Sequence, residues 1–352
     1  MNRAPRGFHS PMMQPLLLVL SGLYRAALLC RRAYFRIFRP PQPLGRPVIK
    51  IGNITTGGTG KTPMVIYLAK LLRKRRLQPV VLTRGFGRRS AGVLKVGDEA
   101  GVDVDISLSG DEPQLIVEQA RCPVYVCEDR REGARQALRE HPHATFLLDD
   151  AYQQLGVRAD INFLLIDATN PFDNGRLLPA GRLREPVREV RRADAIIVTR
   201  ADHAFDQSRL IETLKKYNRS APLFFAYHEV VGLQEVPGGP WCGAERFRGR
   251  AVTLMCAIAN PMVFESDLAH EQVAVGHRMT FRDHHTYSQA DLDRALREAN
   301  EHDAGLIVTT EKDAVKLAPL RIPPERVYAL GIEARVDEEE NFLQYLKMFL
   351  DL

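Results

Sequence analysis

Across residues 15–39 apolar positions recur at helical spacing: Leu16, Val19, Leu20, Leu23, Ala27, Cys30, Tyr34, Ile37 and Phe38 share one face. Arg25, Arg32, Arg36 and Arg39 share the opposite face. The spacing predicts an amphipathic helix that Pro40-Pro41 terminates. Its uninterrupted apolar stretch, residues 16–24, is too short to cross a bilayer, although residues 12–30 nearly suffice if Arg25 snorkels. The helix therefore reads as interfacial, or as a short span followed by a basic interfacial segment. Beyond residue 46 the pattern changes to short continuous apolar runs, at 47–51, 80–83, 124–126, 145–148 and 162–166. Helical stretches at 70–76, 111–121 and 130–140 separate them, which predicts an α/β fold with a parallel sheet covered on both faces. Further strands are expected at 195–198, 223–227, 252–256 and 306–309. Residues 231–250, with Pro237-Gly238-Gly239-Pro240, read as a connection between two α/β lobes. The expected division is 1–41, 42–230, 231–250 and 251–352.

A chain of 352 residues, 45% hydrophobic and 26% charged, is long enough for two folded domains. Its charge is uneven: the 19 Lys and Arg of residues 1–97 meet no Asp or Glu before Asp98, so the net +6 hides a basic front and an acidic body. Such a front suits nucleic acid or an anionic membrane, and the apolar stripe between its arginines selects the membrane. Arg3 and Arg6 ahead of an apolar stretch also fit a secretory signal, but the stretch runs into Arg31-Arg32 without a small-residue cleavage site. The five cysteines, at 30, 122, 127, 242 and 256, form no CxxC pair. That suits a reducing cytoplasm and offers no metal signature.

The segment Thr55-Thr56-Gly57-Gly58-Thr59-Gly60-Lys61-Thr62 follows the first apolar run and reads as a phosphate-binding loop of the P-loop NTPase type. Glycines let consecutive backbone N–H groups turn toward one anion, and the following helix start adds its positive end. Lys61 would reach the outer phosphates of ATP, and the Thr62 hydroxyl would hold Mg²⁺. The usual pattern begins with Gly where this chain has Thr55. A membrane-recruited switch ATPase of the ParA/MinD kind also carries Gly-Gly-Thr-Gly-Lys-Thr, but with a second lysine near the loop's start, where Thr55 and Thr56 stand here. A nucleic-acid-binding NTPase would explain the basic front but not its apolar stripe.

The acids fall where phosphoryl transfer needs them. Leu147-Leu148-Asp149-Asp150 ends an apolar strand in two carboxylates, the place from which a nucleotide-binding sheet holds Mg²⁺. Adjacent strand side chains point to opposite faces, so one Asp serves the metal and the other a neighbouring loop. Ser109-Gly110-Asp111-Glu112-Pro113 offers a second acidic pair, with Asp111 either a helix cap or a catalytic group. Asp283-His284-His285 sets a histidine beside an acid, as an oriented acid/base requires. Two adjacent histidines without a third ligand make a poor zinc site. Thr310-Glu311-Lys312-Asp313 lies at the kind of strand end where ligands bind, or simply charges a helix start.

Together these motifs resemble one family, the tetraacyldisaccharide 4′-kinases that phosphorylate the lipid A precursor. The resemblance runs through Gly52-Asn53-Ile54-Thr55 and the loop to Pro63, Thr83-Arg84-Gly85-Phe86-Gly87-Arg88, Gly110-Asp111-Glu112-Pro113 and Asp149-Asp150-Ala151-Tyr152-Gln153. It continues through Asp167-Ala168-Thr169-Asn170-Pro171-Phe172, Leu177 to Pro186, Ile258-Ala259-Asn260-Pro261, Phe281-Arg282-Asp283-His284-His285 and Thr310-Glu311-Lys312-Asp313-Ala314. Thr55 is what this family's loop looks like at its first position. The resemblance implies two α/β/α lobes joined by a β-ribbon hinge and an N-terminal membrane helix on the cytoplasmic face of the bacterial inner membrane. It also implies ATP- and Mg²⁺-dependent transfer to the 4′-hydroxyl of a tetraacylated glucosamine disaccharide 1-phosphate, with neither nucleic acid nor an obligate protein partner. Asp111 matches the family's base, paired with His284 or His285; Glu112 and Asp150 match carboxylates near Mg²⁺; Arg184 and Glu185 match the nucleotide and acceptor cleft. With His284 in the other lobe, closure on the substrates is expected to assemble the pair. Ala151-Tyr152 in place of Gly-Leu, and Arg182 in place of Pro, depart from the family's pattern.

Overall fold

The computed structural model of the chain describes residues 13–203 and 206–350; Arg3, Arg6 and Met12 of the basic front lie outside the described residues. The strands of the first half are β1 (Val48–Gly52), β2 (Gln78–Thr83), β3 (Leu94–Asp98), β4 (Gly101–Val102), β5 (Val124–Val126), β6 (Ala144–Leu148), β7 (Ile161–Asp167) and β8 (Ala195–Thr199). They are followed by β9 (Leu223–Glu235), β10 (Trp241–Cys242), β11 (Ala251–Cys256), β12 (Ala274–Thr280), β13 (Leu306–Thr310) and β14 (Val327–Val336). Helices α1 (Gln14–Phe38), α2 (Lys61–Lys74), α3 (Ile106–Ser109), α4 (Asp111–Ala120), α5 (Arg130–Glu140) and α6 (Gln207–Tyr217) precede β9. Helices α7 (Pro261–His270), α8 (Gln289–Glu301), α9 (Glu311–Leu317) and α10 (Glu339–Lys347) follow it.

The expected α/β architecture is present. In the first lobe the order is β9-β8-β7-β1-β6-β2-β5-β3-β4, parallel from β9 to β5. Every residue of β1, β6 and β8 is buried, as continuous apolar runs require when helices cover both faces. The second lobe runs β12-β11-β13-β14 and is also parallel.

One strand joins the two. The first part of β9, Leu223 to Ala226, pairs with β8, and the stretch from Ala226 to Glu235 pairs antiparallel with β14. The ribbon between the lobes is therefore wider than the expected 231–250 connection. Pro237-Gly238-Gly239-Pro240 is only its hairpin tip, returning into β10 against Gln234 and Leu233. The chain then goes back: α10 seats Phe342 against Phe163 and Phe224, with ring centroids 5.6 and 4.9 Å away, so the last helix completes the first lobe's core. Burying that ring contributes about 1.5–3 kcal/mol to holding the two ends of the chain together.

Helix α1 forms as the period predicts, and none of its residues is buried. Its predicted apolar face is open, with Val19, Leu23, Ile37 and Phe38 each more than 60% exposed. A narrower line turns inward. Ser21 Oγ donates to Leu177 O at 2.9 Å, and Tyr24 Oη donates to Arg184 O at 2.9 Å. Arg32 forms ion pairs with Glu185 and Glu189, both almost fully buried. Arg32 is thus no member of an outward basic face; two buried carboxylates hold it on the protein. Among the described residues no helix is long and apolar enough to cross a membrane.

Candidate active site

The carboxyl ends of the parallel strands in both lobes open on one cleft of about 410 Å³, lined by Gly57 to Thr62, Asp150 and Arg200 on one side and by Asn260, His284 and Lys312 on the other. On the first side the loop after β1 is held from outside. Gly57 (φ +109°) and Gly60 (φ +75°) take backbone angles that side chains disfavour, and Gly60 directly precedes α2. A loop that aims its N–H groups at an anion must satisfy its carbonyls elsewhere. Arg200 Nη1 donates to Gly58 O at 2.8 Å, and Thr199 Oγ1 donates to Thr59 O at 3.0 Å. Asn53 Nδ2 donates to Thr59 Oγ1 at 2.8 Å, and Thr56 N donates to Arg182 O at 2.8 Å. Asp167 pairs with Arg200 and fixes it. We expect Arg200→Lys, which keeps the charge but not the fork, to weaken ATP binding about tenfold, the size of one charge-assisted hydrogen bond. Calorimetric titration checks this, and an unchanged Kd would show that the loop holds its shape without Arg200.

The acids divide their tasks. Asp150 accepts from Arg184 Nη1 at 2.8 and 2.9 Å and lies 3.7 Å from Lys61 Nζ. Burial pushes its carboxyl up, but Lys61 and Arg184 outweigh burial and hold it below the ordinary range. Asp149 Oδ2 accepts from Thr83 Oγ1 at 2.8 Å, while its buried Oδ1 has no hydrogen-bond partner. Burial first, then the neighbouring charges of Glu112 and Asp150, push Asp149 up to about 6. A carboxylate held at that value beside other acids fits a site completed by a cation. Among the described residues no three His, Cys, Asp or Glu side chains converge as a metal cage. Mg²⁺ takes one or two carboxylates and the substrate's phosphates, and the half-buried Thr62 stands at the start of α2 on the same side of the cleft.

The far wall brings the remaining residues together. Asp111 starts α4, with Gly110 rather than Asp111 at the capping position; its Oδ1 accepts from Glu112 N–H at 2.9 Å, and its Oδ2 turns to the second lobe. Asp111 Oδ2 lies 3.3 Å from His284 Nδ1, across 173 residues of sequence. Phe86 packs on the His284 ring with centroids 4.6 Å apart. His285 points elsewhere, stacking on Phe281 and lying 3.3 Å from Asp291 Oδ2. The pair is therefore Asp111 and His284, and it stands assembled in this structure. Lys312 lies 3.1 Å from Glu112 Oε1 and 3.4 Å from His284 Nε2, so His284 Nε2 accepts from the lysine and Nδ1–H donates to Asp111. Burial opposes ionisation of Asp111, but the His284 hydrogen bond and the Lys312 charge bring its carboxyl down to about 2. The same hydrogen bond raises His284.

A family profile described as LpxK, tetraacyldisaccharide-1-P 4′-kinase, matches residues 13–351. The chain belongs to this family. It is 36% identical over 350 residues to a tetraacyldisaccharide 4′-kinase of Syntrophus aciditrophicus, covering 96% of this chain and 93% of that one. To the protein of the same name from Halothermothrix orenii it is 31% identical, covering 98% and 95%. A crystal structure of LpxK from Aquifex aeolicus, in complex with ATP, superposes with a TM-score of 0.76 at 29% identity and covers 96% of this chain and 100% of that one. In this kinase, sequence reasoning passed over Thr199 and Arg200 and gave Asp167 and Lys312 no role. The available signal was positional: Thr199 and Asp167 end β8 and β7, Arg200 directly follows β8, and Lys312 lies in the first turn of the helix after β13.

Proposed function

We propose that this kinase transfers the γ-phosphoryl group of ATP to the 4′-hydroxyl of a tetraacyl glucosamine disaccharide 1-phosphate. The observation that carries the reading is a phosphate loop of the first lobe and an Asp–His pair built jointly by the two lobes at one cleft, which a donor and an acceptor require and a switch ATPase does not. The loop amides from Gly57 to Gly60, with Lys61, hold the triphosphate, and Arg184 keeps Asp150 in place beside Lys61. Thr62 and Asp149 are the groups to hold Mg²⁺, with Glu112 and Asp150 around them; when bound, Mg²⁺ neutralises charge on the phosphate oxygens. Asp111 orients the acceptor hydroxyl and takes its proton late, once bonding to phosphorus has made that oxygen acidic, so a weakly basic carboxylate suffices. His284 holds Asp111 in the reacting orientation. Positioning and charge stabilisation carry most of such a reaction.

The donor lobe we infer is 42–230 and the acceptor-side lobe 251–352, with 231–250 part of a hinge completed by β14 pairing on β9, and with α10 returning to the donor lobe. Residues 1–41 carry the membrane contact: α1 lies with its exposed apolar face on the cytoplasmic side of the inner membrane, where an acylated acceptor resides. Neither nucleic acid nor an obligate protein partner enters this scheme. Val19→Glu combined with Leu23→Glu is expected to reduce cosedimentation with anionic vesicles at least about tenfold, since two largely exposed apolar side chains lose their burial in the interface. Equal cosedimentation would remove α1 from membrane attachment. The function itself is tested by incubating the protein with γ-labelled ATP and the lipid disaccharide monophosphate, vesicles alone, or DNA. Label on the lipid supports the kinase, and hydrolysis stimulated only by vesicles or DNA would overturn it.

A further inference from the structure

Lys312 carries its charge from the second lobe to the carboxylates of the first. Its helix neighbour Lys316, one turn on, also lies 3.9 Å from Asp111, but it is buried and anchored 2.6 Å from Asp313 of the same helix. Lys312 has no such partner on α9. Its ammonium lies 3.1 Å from Glu112 and 3.9 Å from Asp111, both on α4 of the first lobe. It also lies 3.5 Å from Asp283 and 3.4 Å from His284, on the loop after β12. Three carboxylates from two lobes therefore share one flexible cation. The side chain is 18% exposed, enough to remain in contact with the cleft.

The place of that cation follows from its neighbours. Asp111 must stand at the acceptor oxygen if it takes the hydroxyl proton, and Glu112 belongs to the shell around the triphosphate. A group within reach of both lies beside the phosphoryl group that travels between them. In the transition state, charge spreads over three equatorial oxygens, and on the loop side Lys61 is a cation directed at them while Arg184 is committed to Asp150. A second cation arriving from the opposite side would act only when the lobes face each other across both substrates.

We propose that Lys312 is a catalytic residue that binds the transferring phosphoryl group: its ammonium leaves Glu112 and contacts the equatorial oxygens as the group passes from ADP to the sugar. The proposal rests on the function stated above. No bond forms to Lys312, and its proton stays on Nζ. The bond from phosphorus to the ADP oxygen breaks, the bond to the 4′-oxygen forms, and the hydroxyl proton goes to Asp111. The four-carbon stem of lysine permits the movement, and a guanidinium in its place would keep the charge with a different shape.

The full-length protein is compared with Lys312→Met and Lys312→Arg, using γ-labelled ATP and the lipid acceptor for kcat and KM, and calorimetry with a non-hydrolysable ATP analogue for Kd. Lys312→Met is expected to lower kcat about 10²- to 10³-fold, the cost of one transition-state donor. Analogue Kd is expected to stay within about threefold, and Lys312→Arg to recover at least about tenfold of the lost rate. A kcat within about threefold of wild type in Lys312→Met, or a loss seen only in Kd while kcat recovers at saturation, overturns the proposal. If Lys312→Met does not fold by circular dichroism, Lys312→Gln and Lys312→Arg carry the comparison. Full activity in Asp111→Ala would instead sink the assignment of Asp111, so the two failures are distinguishable.

Discussion

Replacing Asp111 with Ala lowers turnover by about 10²- to 10⁴-fold, the usual contribution of a positioned proton acceptor, and leaves ATP affinity within about threefold. The asymmetry follows from where Asp111 stands. It faces His284 and Lys312 of the second lobe, and no loop residue from Gly57 to Thr62 depends on it. Its carboxyl stays ionised because the His284 hydrogen bond and nearby lysines offset its burial, so it is ready to accept a proton throughout the working pH range. The variant also leaves Lys312 and His284 with one carboxylate fewer, and thermal melting followed by circular dichroism separates that effect from the chemistry. Steady-state transfer of label to the lipid, at saturating ATP and acceptor, measures the prediction. Wild-type turnover in the variant would take Asp111 out of the reaction.

The second large effect belongs to Lys61. Lys61→Met keeps the length of the side chain and removes its charge at the start of α2, beside Asp150. Turnover is expected to fall about 10³-fold, as when a preorganised donor to a developing phosphate charge is lost. Unlike Asp111→Ala, this variant is also expected to weaken ATP binding, because the proposed contact of Lys61 with the triphosphate exists in the ground state as well as in the transition state. Asp150 retains Arg184 as its partner, so the loop's own fold survives the change. Comparison of kcat with the calorimetric Kd for ATP gives the readout. Unchanged values of both would mean that the triphosphate sits elsewhere.

Much of the donor half was legible in the chain because its parts are contiguous. The loop from Thr55 to Thr62, the strand ending in Asp149-Asp150 and the amphipathic stretch of α1 each declare themselves within a few turns of backbone, where glycine content, apolar period and strand-end acids directly constrain local geometry. The apolar runs likewise announced β1, β6, β7, β8, β11 and β13. Arg32 misled the helix reading, since periodicity assigns it to an outward basic face while two buried glutamates 153 and 157 residues on draw it inward. The partner strand of the ribbon was not legible for the same kind of reason: β14 pairs with β9 from about 100 residues away.

By itself the sequence determined the α/β class, the nucleotide loop, the exposed apolar stripe of α1 and the family, because each is written in short-range pattern or in the ordered set of motifs. Only the tertiary structure decided which charges meet. It chose His284 over His285, gave Arg200 the carbonyl of Gly58 across 142 residues, and set Lys312 against Glu112 across 200. It also sent α10 back to the first lobe. Such pairings depend on side chains from separate strands arriving at the same sheet end, and on burial that makes an unpaired charge costly, so spacing along one chain cannot specify them.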